Sequence, residues 1–294
     1  MRIGFMTTHD PERIAFARSN GFGCVELIVK PDTPYLPGKD GWQDRAAQME
    51  ADFDATGLRI SCVAGFYVNH MDADPQVAAA HAEQTRRTIL LAEFLGVPTV
   101  AGFSGRVVGE DLEASLPRFK QIWSEHARFA ADHGVRIAFE HCPMGRFHSP
   151  FGGINCICTP AMWDRCFDAV PSDALGLEWD PSHLVCMQID PVANARRYGS
   201  KVFHVHAKDA KVNRDAVARF GLYHEGATEH CFPGLGDTNW GAVIKELRRA
   251  GYDGDLNIEG WHDDVFQNHD NGPQLEDLGL LIAKRHLEPF VDGV

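Results

Sequence analysis

The chain has 294 residues, 44% hydrophobic and 23% charged, with no low-complexity tract, a composition that excludes disorder. Its 28 Lys and Arg against 41 Asp and Glu leave a formal charge of −13, a field that repels nucleic-acid backbones and anionic lipid surfaces. No apolar run of about eighteen residues occurs, so no membrane-spanning helix is expected, and the length fits two average domains or one large α/β barrel.

The first residues, MRIGFMTTHDPERIAF, read as a strand, Arg2–Met6, and then a helix, without the charged-then-apolar pattern of a secretory leader. Asp10-Pro11 supplies an N-cap and a proline at the first helical position, and Gly21 stops the helix. Strand two, Cys24–Val29, leads into a long excursion, Lys30–Trp42; Gly57 closes the next helix ahead of strand three, Leu58–Phe66. Asp74-Pro75 opens a long helix over Asp74–Leu95, which Gly96 ends before strand four, Thr99–Phe103. In the helix expected over Asp111–His133, Leu116, Phe119, Ile122, Trp123, Phe129 and Ala130 recur at helical spacing, so Trp123 is read as core packing. Gly134 precedes strand five, Val135–Glu140, and Thr159-Pro160 starts the helix before strand six, Leu175–Asp180. Asp190-Pro191 and Gly199 bracket the helix before strand seven, Val202–His206. A second excursion, Lys208–Trp240, follows, and Gly251 stands before strand eight, Asp255–Glu259.

Several strands are apolar on successive residues, as parallel strands covered on both faces are. Eight strands alternating with helices predict one (β/α)₈ TIM barrel over residues 1–294, a single domain. A doubly wound sheet would carry a glycine fingerprint after strand one, and GFMTTHD has none. Eight cysteines include no CxxC pair; Cys24 and Cys62 sit in apolar runs as small hydrophobes. Reduced thiols and a cytoplasmic location are expected. Cys156, Cys158 and Cys166 match no standard zinc spacing.

In a barrel, a polar residue closing a strand is the one placed for chemistry. Four consecutive strands end so, at Glu140, Asp180, His206 and Glu259. Unpaired carboxylates at the edge of a dry interior are costly, and a divalent cation removes the cost. Three carboxylates with one imidazole make a hard shell that suits Mn²⁺ first, then Mg²⁺ or Co²⁺, ahead of Zn²⁺. His183 joins the same loop as Asp180 through D-P-S-H, and His204 lies one layer below His206. Lys208, His141, His230, Trp261 and His262 are placed to line the cavity, with Glu140-His141 offering a ligand and an adjacent base. The run Pro233–Trp240 reads as a tight path near the site or as a helix-entry turn. His148–Gly153 reads as a hinged lid or as an ordinary loop.

These pieces resemble the xylose isomerase-like barrel superfamily, the sugar phosphate isomerases and epimerases. The resemblance runs over the whole chain, through Phe139-Glu140, Trp179-Asp180-Pro-Ser-His183, His204-Val-His206-Ala-Lys208-Asp209, Pro233–Trp240, Gly251–Gly254 and Ile258-Glu259. It implies one divalent metal at Glu140, Asp180, His206 and Glu259. It also implies proton transfer through an enediolate, with Glu140 and Glu259 as acid and base, on a keto sugar or polyol ketone. The alternative it carries is a lyase or dehydratase on a 3-keto sugar or glycoside, like C-glycoside deglycosidase subunits. An endonuclease IV-like repair enzyme would draw on His70, His183 and His230, but strand four ends without a histidine; a non-catalytic barrel is the remaining class. Arg106, Arg146 and Lys208 are the few cations at the rim, which favours an unphosphorylated substrate. A homo-oligomer or a partner subunit is left open, and specificity is expected from Lys30–Trp42, Asn69–Asp74, His141–Thr159 and Lys208–Trp240.

Overall fold

The computed structural model describes residues 1–144, 153–267 and 273–291. The first half of the chain gives β1 (Ile3–Thr7), α1 (Pro11–Ser19), β2 (Cys24–Ile28), α2 (Trp42–Asp54), β3 (Arg59–Phe66), α3 (Pro75–Phe94), β4 (Thr99–Gly102), α4 (Leu116–Asp132) and β5 (Arg136–Glu140). The second gives α5 (Pro160–Ala169), β6 (Leu175–Trp179), α6 (Pro181–Cys186), α7 (Pro191–Tyr198), β7 (Val202–Ala207), β8 (Asp209–Val212), α8 (Arg214–Phe220), β9 (Thr228–Cys231), α9 (Trp240–Arg249), β10 (Leu256–Ile258) and α10 (Pro273–Leu287).

Local punctuation sets most boundaries. Asp10, Asp74, Thr159 and Asp190 each accept a hydrogen bond from a backbone N–H of the turn they cap. Gly21, Gly57, Gly96, Gly134 and Gly251 all take positive φ, the left-handed stop that a side chain resists. Gly199 does not: its φ is −55° and it begins a 3₁₀ turn. It is glycine for another reason, since a Cβ there would lie 2.5 Å from that of Ala250. The regular helix expected from Asp111 starts at Leu116, after a 3₁₀ turn over Glu113–Ser115.

Eight parallel strands close in the order β1-β2-β3-β4-β5-β6-β7-β10, the barrel expected from the alternation. Alternate residues divide its two faces. Phe5, Val25, Leu27, Val63, Ile137, Phe139, Leu177, Val205 and Ile258 join the core shared with the helices. There Trp123 packs on Phe139 at 4.5 Å and its Nε1–H donates to the Ser104 carbonyl, the core role expected of it. Cys62, Ala101 and Ala138 form a small separate cluster, and Glu26, Glu178, His204 and Asn257 are fully or almost fully buried without joining either. The strands therefore carry charge below the rim, where the sequence reads as continuous apolar runs. Register shifts beside Glu26 and Glu178 leave the extra residue on the partner strand, Ser61 of β3 and Phe203 of β7, while regular alternation along β2 and β6 turns the two glutamates inward.

The second excursion contains an antiparallel pair, β8 with β9, spanned by α8. Asp209 at its root accepts the N–H groups of Gly234 and Thr238 and the indole N–H of Trp240. A Cβ on Gly236 would meet the Asp209 carboxylate at 2.3 Å. The Pro233–Trp240 run is thus the entry turn of α9, tied to Asp209.

Candidate metal centre and cavity

Four strand ends converge at the C-terminal mouth of the barrel. Glu140 is the last residue of β5, His206 lies near the end of β7, and Asp180 and Glu259 directly follow β6 and β10. One ligand-capable atom from each lies within 4.8 Å of the other three. Asp180 Oδ1 caps α6 by accepting the Ser182 N–H at 2.7 Å, which leaves Oδ2 turned to the site. Asp180 Oδ2, His206 Nδ1 and Glu259 Oε2 are buried without a hydrogen-bond partner. Orphaned acceptors of this kind are rare in a folded chain, and a cation satisfies all of them at once.

The other edge of His206 explains which nitrogen faces the site. Nε2 lies 2.9 Å from Glu26 Oε2 and 3.2 Å from Glu178 Oε1, so it carries the proton and Nδ1 presents the lone pair. Below, Tyr67 donates to Glu178 at 2.6 Å and approaches Glu26 at 3.1 Å. His204 Nδ1 lies 2.7 Å from Glu178, and its Nε2 accepts from Asn257, whose amide also donates to Ser61. This interior network of Glu26, Glu178, Tyr67, His204 and Asn257 was not foreseen. The signal for part of it was the spacing of two: Glu178 shares a strand side with Asp180, as His204 does with His206.

Burial would raise the pKa of Glu140, but hydrogen bonds with His183 and His206 override it and lower the pKa to about 2. At Glu259 burial prevails over the attraction of Lys208, and the pKa rises. Lys208, 2% exposed, donates to Glu259 Oε1 at 2.9 Å; burial works against its charge, yet the carboxylates of Glu259, Asp180 and Glu140 keep it protonated. His183 Nε2 stands 3.3 Å from Glu140 Oε1 and 3.1 Å from Asp180 Oδ2.

Above these groups opens a cavity of about 920 Å³. Of the residues expected at the site, Glu140, His183, His206, Lys208, His230, Glu259, Trp261 and His262 line it. Asp180 is fully buried and does not line it, but joins the cluster through Glu140, His206 and Glu259. His141 does not line it: the alternation that points Glu140 inward turns His141 to the helix layer, against Trp163 at 4.8 Å. Its Nε2 accepts the Asp180 N–H at 2.9 Å, and burial lowers its pKa to about 3. The expected adjacent base is instead a brace for Asp180. Trp261 is half exposed and His262 takes a positive φ of 73°. Among the other expectations, His70 packs on Trp123 at 4.8 Å and does not reach the cavity. Arg106 is buried and donates to the Glu110 carbonyl, also outside the cavity. Arg146 and His148–Gly152 lie outside the described residues.

Asn155 fastens the loop after β5. Its amide donates to the carbonyls of Glu140 (2.7 Å) and Cys142 (2.8 Å), and its oxygen accepts from Ser104 N–H and Oγ–H.

Residues 14–284 match the xylose isomerase-like TIM barrel family. The chain belongs to it. A relative, the uncharacterized protein YfiH of Bacillus subtilis, is 27% identical over 210 residues, 63% of this chain and 67% of that one. L-ribulose 3-epimerase of Mesorhizobium japonicum is 25% identical over 266 residues, 87% of this chain and 77% of the epimerase. Family relatives also include dehydratases: the match spans only 36% of the 3-dehydroshikimate dehydratase of Pseudomonas putida, at 24% identity over 86% of this chain. Among solved structures, IolI protein with a bound zinc atom superposes with a TM-score of 0.68 at 16% identity, covering 99% of this chain and 96% of that one, a likeness of fold.

Proposed function

We propose that this chain is a divalent-metal-dependent isomerase or epimerase acting on the α-hydroxy ketone of an unphosphorylated sugar or polyol. The observation that carries the reading is the convergence of Glu140 with the orphaned atoms of Asp180, His206 and Glu259 at the mouth of the barrel. Three carboxylates and one imidazole nitrogen fit Mn²⁺ best among the hard divalent ions. When bound there, the ion supplies Lewis acidity toward the ketone and its neighbouring hydroxyl, worth several kcal/mol for α-proton removal.

The protein's own groups do the rest. Glu140, held ionised, takes the α-proton; Glu259, whose pKa burial raises, is suited to deliver one. Return to the opposite face of the same carbon gives an epimer, and return to the neighbouring carbon gives an aldose–ketose isomer. His183, His230, Trp261 and His262 form the wall that meets the substrate, and His141 positions Asp180. The few cations around the cavity favour a substrate without phosphate, Lys208 being the one Lys or Arg among the described residues that line it.

Dehydration or elimination on a 3-keto sugar or glycoside is the second reading. What favours it is Lys208, a buried cation at the cavity floor able to protonate a departing oxygen, together with the dehydratases among the relatives. The test is a panel of keto sugars and 3-keto-glycosides incubated in D₂O with Mn²⁺ and followed by NMR. Deuterium at the α-carbon with an epimer or isomer supports the first reading, and an eliminated product supports the second. Absence of exchange across the panel by metal-loaded protein overturns both.

A further inference from the structure

The alternation that turns His141 outward has a second result. Residues two apart in extended backbone share a side, so Cys142 faces the cavity with Glu140. The Asn155 amide holds both carbonyls in that register. Seven of the eight cysteines are buried; Cys142 is the exception, and its Sγ accepts the Met144 N–H at 3.4 Å. His183 stands opposite, 2% exposed, with Nδ1 lacking any hydrogen-bond partner. Ligand-capable atoms of Glu140, Cys142 and His183 all lie within 4.8 Å of one another.

We propose that Glu140, Cys142 and His183 form a second metal seat, sharing Glu140 with the first, that takes Zn²⁺. One oxygen, one sulfur and one nitrogen make a borderline-soft set that suits zinc and poorly suits Mn²⁺ or Mg²⁺, and three protein ligands leave a position open to the cavity. The charges agree. In the first seat three carboxylates are balanced by one divalent ion and Lys208. A second divalent ion opposite one thiolate leaves a single positive charge facing the cavity, where an anionic oxygen of a substrate or a hydroxide would complete it. The seat rests on the proposed function only through Glu140.

Full-length protein stripped with chelator, reloaded with one metal alone, desalted and assayed for metal content tests this. Zn²⁺ is expected at two ions per chain in the wild type and one in Cys142→Ser, whereas Mn²⁺ is expected at one in both. Co²⁺-loaded wild type should show thiolate-to-cobalt charge-transfer absorption in the near ultraviolet, and Cys142→Ser should lack it. One zinc per chain, kept in Cys142→Ser and lost in Asp180→Asn, overturns the second seat and leaves the first standing. Lack of the thiolate band in the wild type also overturns it. No metal bound by the wild type overturns both seats.

Discussion

Two clusters of carboxylates and imidazoles meet at His206, and they differ in saturation. Beneath the ring, Glu26 and Glu178 are matched by donors from His206 Nε2, Tyr67 and His204, in a network that continues to Asn257 and Ser61. Above it, Asp180, Glu259 and the other His206 nitrogen keep atoms without partners. The residue types are nearly the same. What separates a structural polar core from a binding seat here is the count of donors supplied, since an unsatisfied buried acceptor destabilises the fold until something fills it.

The largest effect should come from the upper cluster. Glu140→Gln or Glu259→Gln is expected to lower turnover by about 10²–10⁴-fold or more, as a ligand and a proton carrier are lost together, while the fold persists. Proton exchange at the substrate α-carbon, followed by NMR, measures it; full activity in either variant defeats the two-glutamate scheme.

His206→Ala breaks both clusters at their joint. Metal content should fall, and removal of the donor from Glu26 and Glu178 should cost about 3–5 kcal/mol in urea unfolding, the scale for uncovering a buried charge. Unchanged metal by elemental analysis would refute the ligand role.

A paired comparison is sharper. Glu178→Gln, in the saturated cluster, should cost about 1–3 kcal/mol of stability and weaken metal binding about 10–100-fold through the orientation of His206. Asp180→Asn keeps an N-cap oxygen for Ser182 and relieves repulsion, so metal-free stability should change by less than about 1 kcal/mol while metal is lost. Equal stability losses in the two variants would erase the distinction between the clusters.

The smallest effect is a pH dependence away from both. Burial lowers the pKa of His70 to about 3, below the ordinary 6.5 it has when unfolded. The unfolded chain therefore binds the extra proton as pH falls below about 6.5, and stability declines by up to about 1.4 kcal/mol per unit from this residue down to about pH 3. Denaturant midpoints of wild type and His70→Gln between pH 6.5 and 5 check the sign: the variant should show the shallower decline.

The barrel was legible because its signals are local. Caps before prolines and glycine stops mark elements one at a time, and Gly199 closes α7 as expected, though without a left-handed φ and where crowding by Ala250 demands a glycine. The four strand ends were legible as a set, since each closes a run of apolar residues. Glu26 and Glu178 were hidden because each lies inside such a run, one charge among apolar neighbours, although strand alternation turns each inward. The β8–β9 pair was hidden because strands of four residues with charges and a histidine carry no alternation strong enough to read. His141 could have been placed by strand alternation; proximity to Glu140 in sequence argued the wrong way.

Asn155 gives the β5 loop a common point of departure and return. Asn155 lies thirteen positions after Cys142, yet its amide grips the backbone at both Glu140 and Cys142, and through Ser104 it is moored to the neighbouring loop as well. Changes in sequence between those anchors are expected to leave the Glu140 backbone held where it is. The same two bonds tie the backbone of a residue of the candidate metal cluster to the chain beyond the loop, so the cluster and the far end of the loop share one brace.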